Sequence, residues 1–480
     1  MKKFFIFLTQ LLKMSSINAL KTYGVEVEQN DGINAVPRSM LPARISRPVQ
    51  ATKSIKNISA ISGSTATSGQ LSLIQLPYGA GAGFMKPGSA YLRFRYAGTQ
   101  AANFHGFAGS CPTAQSLIQR LTVSQNNAVE LINDYGKLVS NIIYPFMTSS
   151  DYQNTVAINE GGLGQNNYVS RAYYTGAGAP ESVLSSQLTD ARFMYNSTGV
   201  GGSGGAIELS VPLCSGLLNN NELSFIPLEL MSSPLTIQVD WATVNNAIYA
   251  LTTAVTEFTC SNVSLVYESV SPPMEYVSEL RQGLLSGKVW SIPYTTVVSA
   301  QTSNAATVSY NFSLNASSVD AFFYGACDVD TQPTSTLRSK YFVCATGSSV
   351  ASDFTTMNRR LYADGNLVTS MPSINSDTLL FRELMRAVQG GFVNDTQTTV
   401  PFSNVGLIPG VGGTYRGQFY AAGFNLKNFN EEGLCMSGTP VSVLNLQIDN
   451  YSSASGILYM YAFLSQIAII DASGSISVLR

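Results

Sequence analysis

MSSPLTIQVDWATV, residues 231–244, returns near the end of the chain as MSGTPVSVLNLQIDN, residues 436–450. Each copy opens on a small-residue turn that closes on proline, at Pro234 and Pro440. Each then alternates apolar and polar residues and stops on aspartate, at Asp240 and Asp449. Alternation of period two is the signature of a half-buried strand. After a polar gap, both copies end in a long apolar strand: FTCSNVSLVYESV from Phe258, and LYMYAFLSQIAII from Leu458. A unit used twice implies two similar β-bodies in tandem, and internal repeats outrank local motifs as a guide to fold.

Working outward, the same texture fills both halves. GQLSLIQLPYG from Gly69 and SAYLRFRYAG from Ser89 read as strands, as do IELSVPL, SFIPLEL, KVWSIPYTTVV, TVSYNFSL and VDAFFYGAC. In SLIQRLTVSQNNAVELINDYGKLVSNII, Leu117–Val123 is strand-like and Asn126-Asn127 turns the chain. Val129, Ile132, Leu138 and Ile142 then recur at helical spacing, with Gly136 weakening a continuous helix. Pro272-Pro273 ends the first half, and Met274–Leu285 is expected to be a short helix closed by Gly287. NSDTLLFRELMRAVQGG predicts the clearest helix, capped at Asn375 or Ser376, with Leu379, Leu380, Leu384 and Val388 on one side. Residues 148–205 and the run Gly406–Gly413 read as glycine-rich loops. The expected divisions are an extended arm over residues 1–50, a first body over 51–272 and a second over 273–480.

Composition narrows the function classes. Only 12% of the 480 residues are charged, and the net charge is −2, against ~25% charged residues in an average soluble domain. Such a chain has no field for gathering nucleic acid, which takes many Lys and Arg to neutralise phosphates. The local exception is Arg38, Arg44, Arg47, Lys53 and Lys56, interleaved with Pro37, Pro42 and Pro48. Prolines at that density favour an extended arm over a helix. It reads either as a solvated leader or as an arm on the inner face of an assembly, touching lipid or a partner. The leading MKKFFIFLTQLLK places Lys2 and Lys3 before the apolar run Phe4–Leu12. That run is too short to span a bilayer. It reads as a secretory leader, an over-extended start before Met14, or a packed arm. N-x-S/T sequons at Asn57, Asn196, Asn262, Asn311, Asn315, Asn394 and Asn450 are expected by chance in a chain this rich in Asn, Ser and Thr.

Chemistry is sparse. The six cysteines (Cys111, Cys214, Cys260, Cys327, Cys344, Cys435) lack the close spacing of a zinc site or a disulfide framework. They read as reduced small hydrophobes. The one histidine, His105, sits in an expected loop with no carboxylate to orient it as a base. Asp328 and Asp330 make a weak calcium suggestion, Glu431-Glu432 reads as an exposed turn, and Asp240 and Asp449 read as polar strand ends. No catalytic, cofactor or metal site is expected.

In order and spacing, several stretches resemble the double jelly-roll major capsid proteins of tailless icosahedral DNA viruses, of the polinton-like, virophage and nucleocytoplasmic large DNA virus type. They are SLIQRLTVSQNNAVELINDYGKLVSNI, IPLELMSSPLTIQVDWATV, SVDAFFYGACD, MPSINSDTLLFRELMRAVQGG and GTPVSVLNLQID. The resemblance covers residues 55–475 and implies an all-β fold: two tandem eight-stranded jelly-roll sandwiches with a few short helices in loops. It implies a non-enzymatic homotrimer whose six wedges form a pseudo-hexameric capsomer in the virion. Its partners would be neighbouring capsomers, minor capsid and penton proteins, and an internal membrane reached by the arm, with no sequence-specific nucleic acid. The alternatives are a secreted or surface β-sandwich adhesin or lectin, motivated by the leader and the sequons, and a jelly-roll enzyme acting on carbohydrate.

Overall fold

The computed structural model describes residues 51–99, 104–109, 113–148, 159–161, 195–196, 207–219, 224–250, 256–303, 307–327, 358–369, 377–391, 421–427, 438–449 and 457–479. The main strands of the first half are β1 (Thr52–Ser59), β2 (Leu71–Gln75), β3 (Tyr91–Thr99), β4 (Ile118–Gln125), β5 (Asn127–Asn133), β6 (Ile207–Pro212), β7 (Thr236–Trp241) and β8 (Glu257–Ser271). Their pairing is concentric: β1 with β8, β2 with β7, β3 with β6 and β4 with β5, all antiparallel. A long hairpin paired in this way and then rolled up gives two facing sheets, ordered β1-β8-β3-β6 and β2-β7-β4-β5. That is a jelly roll.

The second half repeats the scheme with one economy. Its strands are β9 (Trp290–Ser303), β10 (Val308–Cys327), β11 (Asn358–Ala363), β12 (Asn366–Leu367), β13 (Ala422–Asn425), β14 (Thr439–Asp449) and β15 (Ile457–Ile470), with β16 (Ile476–Leu479) appended to β15. β10 does the work of two strands. Val308–Ser313 pair with β14 in one layer, while Ala321–Cys327 pair with β15, and Ala321–Tyr324 also with β13, in the other. The register slips between Ser313 and Ala316 and again before Val319, and Asn315 takes φ 48°. Asn tolerates that left-handed geometry better than most residues, and a bulge bends a strand. Counting β10 twice, the second half also has eight strands, with β9–β15 and β11–β12 completing the concentric pairing.

Local sequence explains the layers. In β7, Ile237, Val239 and Trp241 point inward while Thr236, Gln238 and Asp240 alternate outward. Trp241 meets Phe94 of the facing sheet edge-on, with ring centres 5.2 Å apart, and its indole N–H donates to Ser72 Oγ at 2.9 Å. Each such buried side chain contributes about 1.5–3 kcal/mol through burial. One continuous apolar core runs through both halves.

The three longest helical segments among the described residues interrupt the sheets. α1 consists of Tyr135–Leu138, a π-type turn Val139–Ile143, and Tyr144–Met147. α2 is Met274–Leu285 and α3 is Asp377–Gly391. α1 follows β5 and α3 follows β12, so the two helices occupy the same place in the two rolls. Leu380, Leu384 and Val388 of α3 are buried as expected; its expected caps, Asn375 and Ser376, lie outside the described residues.

Three readings need correction. Val129 and Ile132 belong to strand β5, not to a helix; only Leu138 and Ile142 are helical. Gly136 does not weaken α1 so much as admit it, since a Cβ there would lie 2.8 Å from the Ile118 carbonyl oxygen. His105 lies in a short strand, Phe104–Phe107, not a loop.

Candidate assembly interface and inter-roll seam

The two rolls meet where β9 runs beside β5. The Tyr294 hydroxyl is 3.0 Å from the Val129 carbonyl and 2.9 Å from Gln466 Oε1. Ser299 Oγ donates to the Asn133 carbonyl at 3.1 Å, and Trp290 Nε1 to that of Phe225 at 3.0 Å. At the far end Gln125 acts as a clasp on the turn before β16. Its Nε2 donates to the Gly474 carbonyl at 2.9 Å, and its Oε1 accepts from the Ile476 amide at 2.6 Å. Gly216 makes the closest approach, for a Cβ there would fall 1.6 Å from the Thr295 carbonyl oxygen.

Glu130 is buried at the centre of this seam, 2% exposed. Its carboxylate accepts from the Ser215 hydroxyl, from the Gly216 amide at 2.8 Å and from the Leu217 amide at 3.3 Å. Burial pushes its carboxyl above the ordinary glutamate range, opposed by those donors and by Thr296 of β9. Burial likewise raises Asp134, against Lys137 and Gln119, and Asp320, against Ser465, Lys427 and Ser318. Desolvation disfavours the ionised form unless hydrogen bonds replace the lost water.

The repeated aspartates are structural in both rolls. Asp240 at the end of β7 meets Arg120 of β4 at 2.5 Å, and Asp449 at the end of β14 meets Arg360 of β11 at 3.6 Å. Each carboxylate serves its own roll, as expected of polar strand ends. A polar cleft of about 430 Å³ opens beside Asp240, Arg120 and Asp134 and reaches Ser299 across the seam. It brings together carboxylates, a guanidinium, amides and a hydroxyl, with neither an activated nucleophile nor a base oriented for one. Among the described residues no group of three or more His, Cys, Asp or Glu is placed to hold a metal. None of their helices is long and apolar enough to cross a membrane. Cys260 and Cys327 are buried, and Cys214 is half-buried. Asp328, Asp330, Glu431 and Glu432 lie outside the described residues.

Of the basic residues singled out in the sequence, Arg38, Arg44 and Arg47 lie outside the described residues. Lys53 and Lys56 lie in β1. Lys53 Nζ is 2.9 Å from Glu268 of β8, and Lys86 reaches the same carboxylate at 3.0 Å. Hydrogen bonds from these two ammonium groups hold Glu268 below the ordinary range. Glu130 was not singled out in the sequence. In the structure Val129 and Glu130, adjacent on a strand, are both buried. That requires a strand covered on both faces.

No protein-family profile matches the chain, and no curated protein matches it. Solved structures do. The chain is similar to VP54 of PBCV-1, as fitted into a reconstruction of the virophage Sputnik, with TM-score 0.54 and 10% identity over 92% of this chain and 99% of that one. It is similar to the PBCV-1 virus capsid chain, with TM-score 0.53 and 10% identity over 92% and 100%. It is also similar to the Faustovirus major capsid protein, with TM-score 0.50 and 8% identity over 90% and 92%. At such identity the likeness concerns the fold, and it extends over both rolls.

Proposed function

We propose that this chain, two jelly rolls in tandem, is a major capsid protein: a non-enzymatic structural subunit that trimerises into pseudo-hexameric capsomers of an icosahedral virion shell. The observation that carries the reading is the duplication itself. Two rolls of one topology, locked side by side through a common core, give a subunit with two similar wedges. Three subunits about a cyclic axis then present six wedges, a block that tiles a closed surface. The low charge supports the same reading, because hydroxyl-rich and apolar flanks can be buried at every seam without desolvating ions. The units that pack would be residues 51–272 and 273–480.

The partners would be further copies of the chain and the minor capsid and penton proteins that seal a shell. Residues 1–50 would lie on the inner face, where Arg38, Arg44 and Arg47, with Lys53 and Lys56 at the start of the body, meet a partner or an internal membrane. Light scattering and negative-stain imaging of purified protein should give trimers with six-lobed outlines. A stable monomer under every condition tried would remove the basis for capsomers. Deleting residues 1–50 should spare the folded rolls but lower particle yield, and a normal yield would refute the arm's role.

A further inference from the structure

The seam inside the chain joins the β5 edge of the first roll to the β9 edge of the second, and so leaves the reverse pair of edges over. In the strand order of the two rolls β1 stands where β9 does, and β12 where β5 does. Counted from the ladder ends Thr52↔Ser271 and Trp290↔Ile470, Ser54, Lys56 and Ile58 of β1 correspond to Ile292, Tyr294 and Thr296 of β9. The three residues of β9 are buried, at 0%, 4% and 4% exposed. Their counterparts in β1 are only half-buried, and the alternate residues Ile55, Asn57 and Ser59 are exposed. Among the described residues, what β9 has and β1 lacks is a neighbouring roll.

The registers say which residues a second seam of the same kind would join. β9 and β5 run in one direction, Tyr294 reaching Val129 and Ser299 reaching Asn133, which sets Pro293 level with Ala128. The hairpins β4–β5 and β11–β12 correspond through Arg120↔Asp240 and Asn358↔Asp449. Ala128, opposite Ser124, then corresponds to Leu367, opposite Tyr362, and Pro293 corresponds to Ile55. At the internal seam these two places lie on the rim, Ala128 exposed and Pro293 half-buried. Their replacements are large and apolar: Leu367 is 40% exposed and Ile55 71%. Charge runs the same way, with Lys53 two residues before Ile55 and exposed Asp364 three residues before Leu367. Of the other charges nearby, Lys86 shares Glu268 with Lys53, Arg360 is held by Asp449, and Lys56 is half-buried on β1. We infer that the β1 edge of one copy docks on the β11–β12 hairpin of a second copy, with Ile55 against Leu367 and Lys53 toward Asp364. The contact between copies repeats the seam within each. It rests on the trimer proposed above and names the surfaces that close it, since a head-to-tail contact shuts into a ring when its rotation allows.

Light scattering and thiol cross-linking of the full chain test this. The unaltered protein should be a trimer. Ile55→Glu and Leu367→Glu should each raise the concentration of half-trimerisation at least tenfold. Both side chains are exposed, and an unchanged circular dichroism spectrum verifies the fold. A second measurement leaves the contact intact: a chain carrying Ile55→Cys and Leu367→Cys, treated with a short bis-maleimide, should run as a covalent trimer in denaturing gels. Neither single variant alone should do so, which controls for the native cysteines, and the two single variants co-expressed should give covalent dimers. Trimers that survive both glutamate substitutions, or that leave the double-cysteine chain without cross-links, would overturn the inference while the capsomer reading stands. Unaltered protein that stays monomeric at every concentration would overturn both.

Discussion

Removing the Glu130 carboxylate leaves the Ser215 hydroxyl and the Gly216 and Leu217 amides without their acceptor. A buried donor left unmade costs about 1–3 kcal/mol, so Glu130→Ala should lower the unfolding free energy by at least ~2 kcal/mol, measured by chemical denaturation. Glu130→Gln asks a different question. The folded carboxyl binds its proton more tightly than the ordinary 4.5 of the unfolded chain. Above that value the native state holds more protons than the unfolded one, so stability falls as pH rises through the folded pKa. Asp134 and Asp320 act in the same sense. Glu268, shifted downward, acts oppositely, and its contribution is lost only as pH falls below its ordinary 4.5. Glu130→Gln should therefore flatten the decline in melting temperature as pH rises above the ordinary glutamate range. Superimposable pH profiles for the two proteins would show that Glu130 does not titrate in that window.

At the scale of elements, α3 was legible and the start of α1 was not, for a physical reason. The apolar positions of α3 face one core and have one period. Leu384 is fully buried there, so Leu384→Asp would bury an unpaired charge; the expected outcome is loss of soluble protein, checked by expression and sedimentation. An unchanged melting temperature would show that face to be open. Before α1, strand β5 is packed on both sides, by its own roll and by β9 of the other. Residues from both faces then count as apolar, and alternation collapses into a pattern that imitates a helix. The bend in β10 was equally hidden: TVSYNFSL and VDAFFYGAC read as two strands, and only the pairing of Val308–Ser313 and Ala321–Cys327 with different partners explains why one continuous strand serves.

For the whole molecule, the duplicated unit announced the architecture because each roll repeats its own strand order. The seam did not announce itself, since its chemistry is pairwise: Gln125 with the Gly474 turn, Gly216 with Thr295, Glu130 with Thr296. Each residue is unremarkable alone. With the apolar core continuous through both rolls, the halves should not melt separately. Calorimetry of the full chain should give one transition, and residues 51–272 expressed alone should be insoluble or molten. Two resolved transitions would mean that the seam contributes little.

The clasp of Gln125 on Gly474 and Ile476 has a consequence in time. The partners of a residue in the first roll lie 349 and 351 positions downstream of it. Gly474 lies 203 positions past Ser271, the last residue of β8 (474 − 271). At ~5–20 residues per second a ribosome needs about 10–40 s to make them. Through that interval the newborn first roll presents part of its β5 face without its partners, and a chaperone that shields this face would have its work ended when Gly474 and Ile476 arrive.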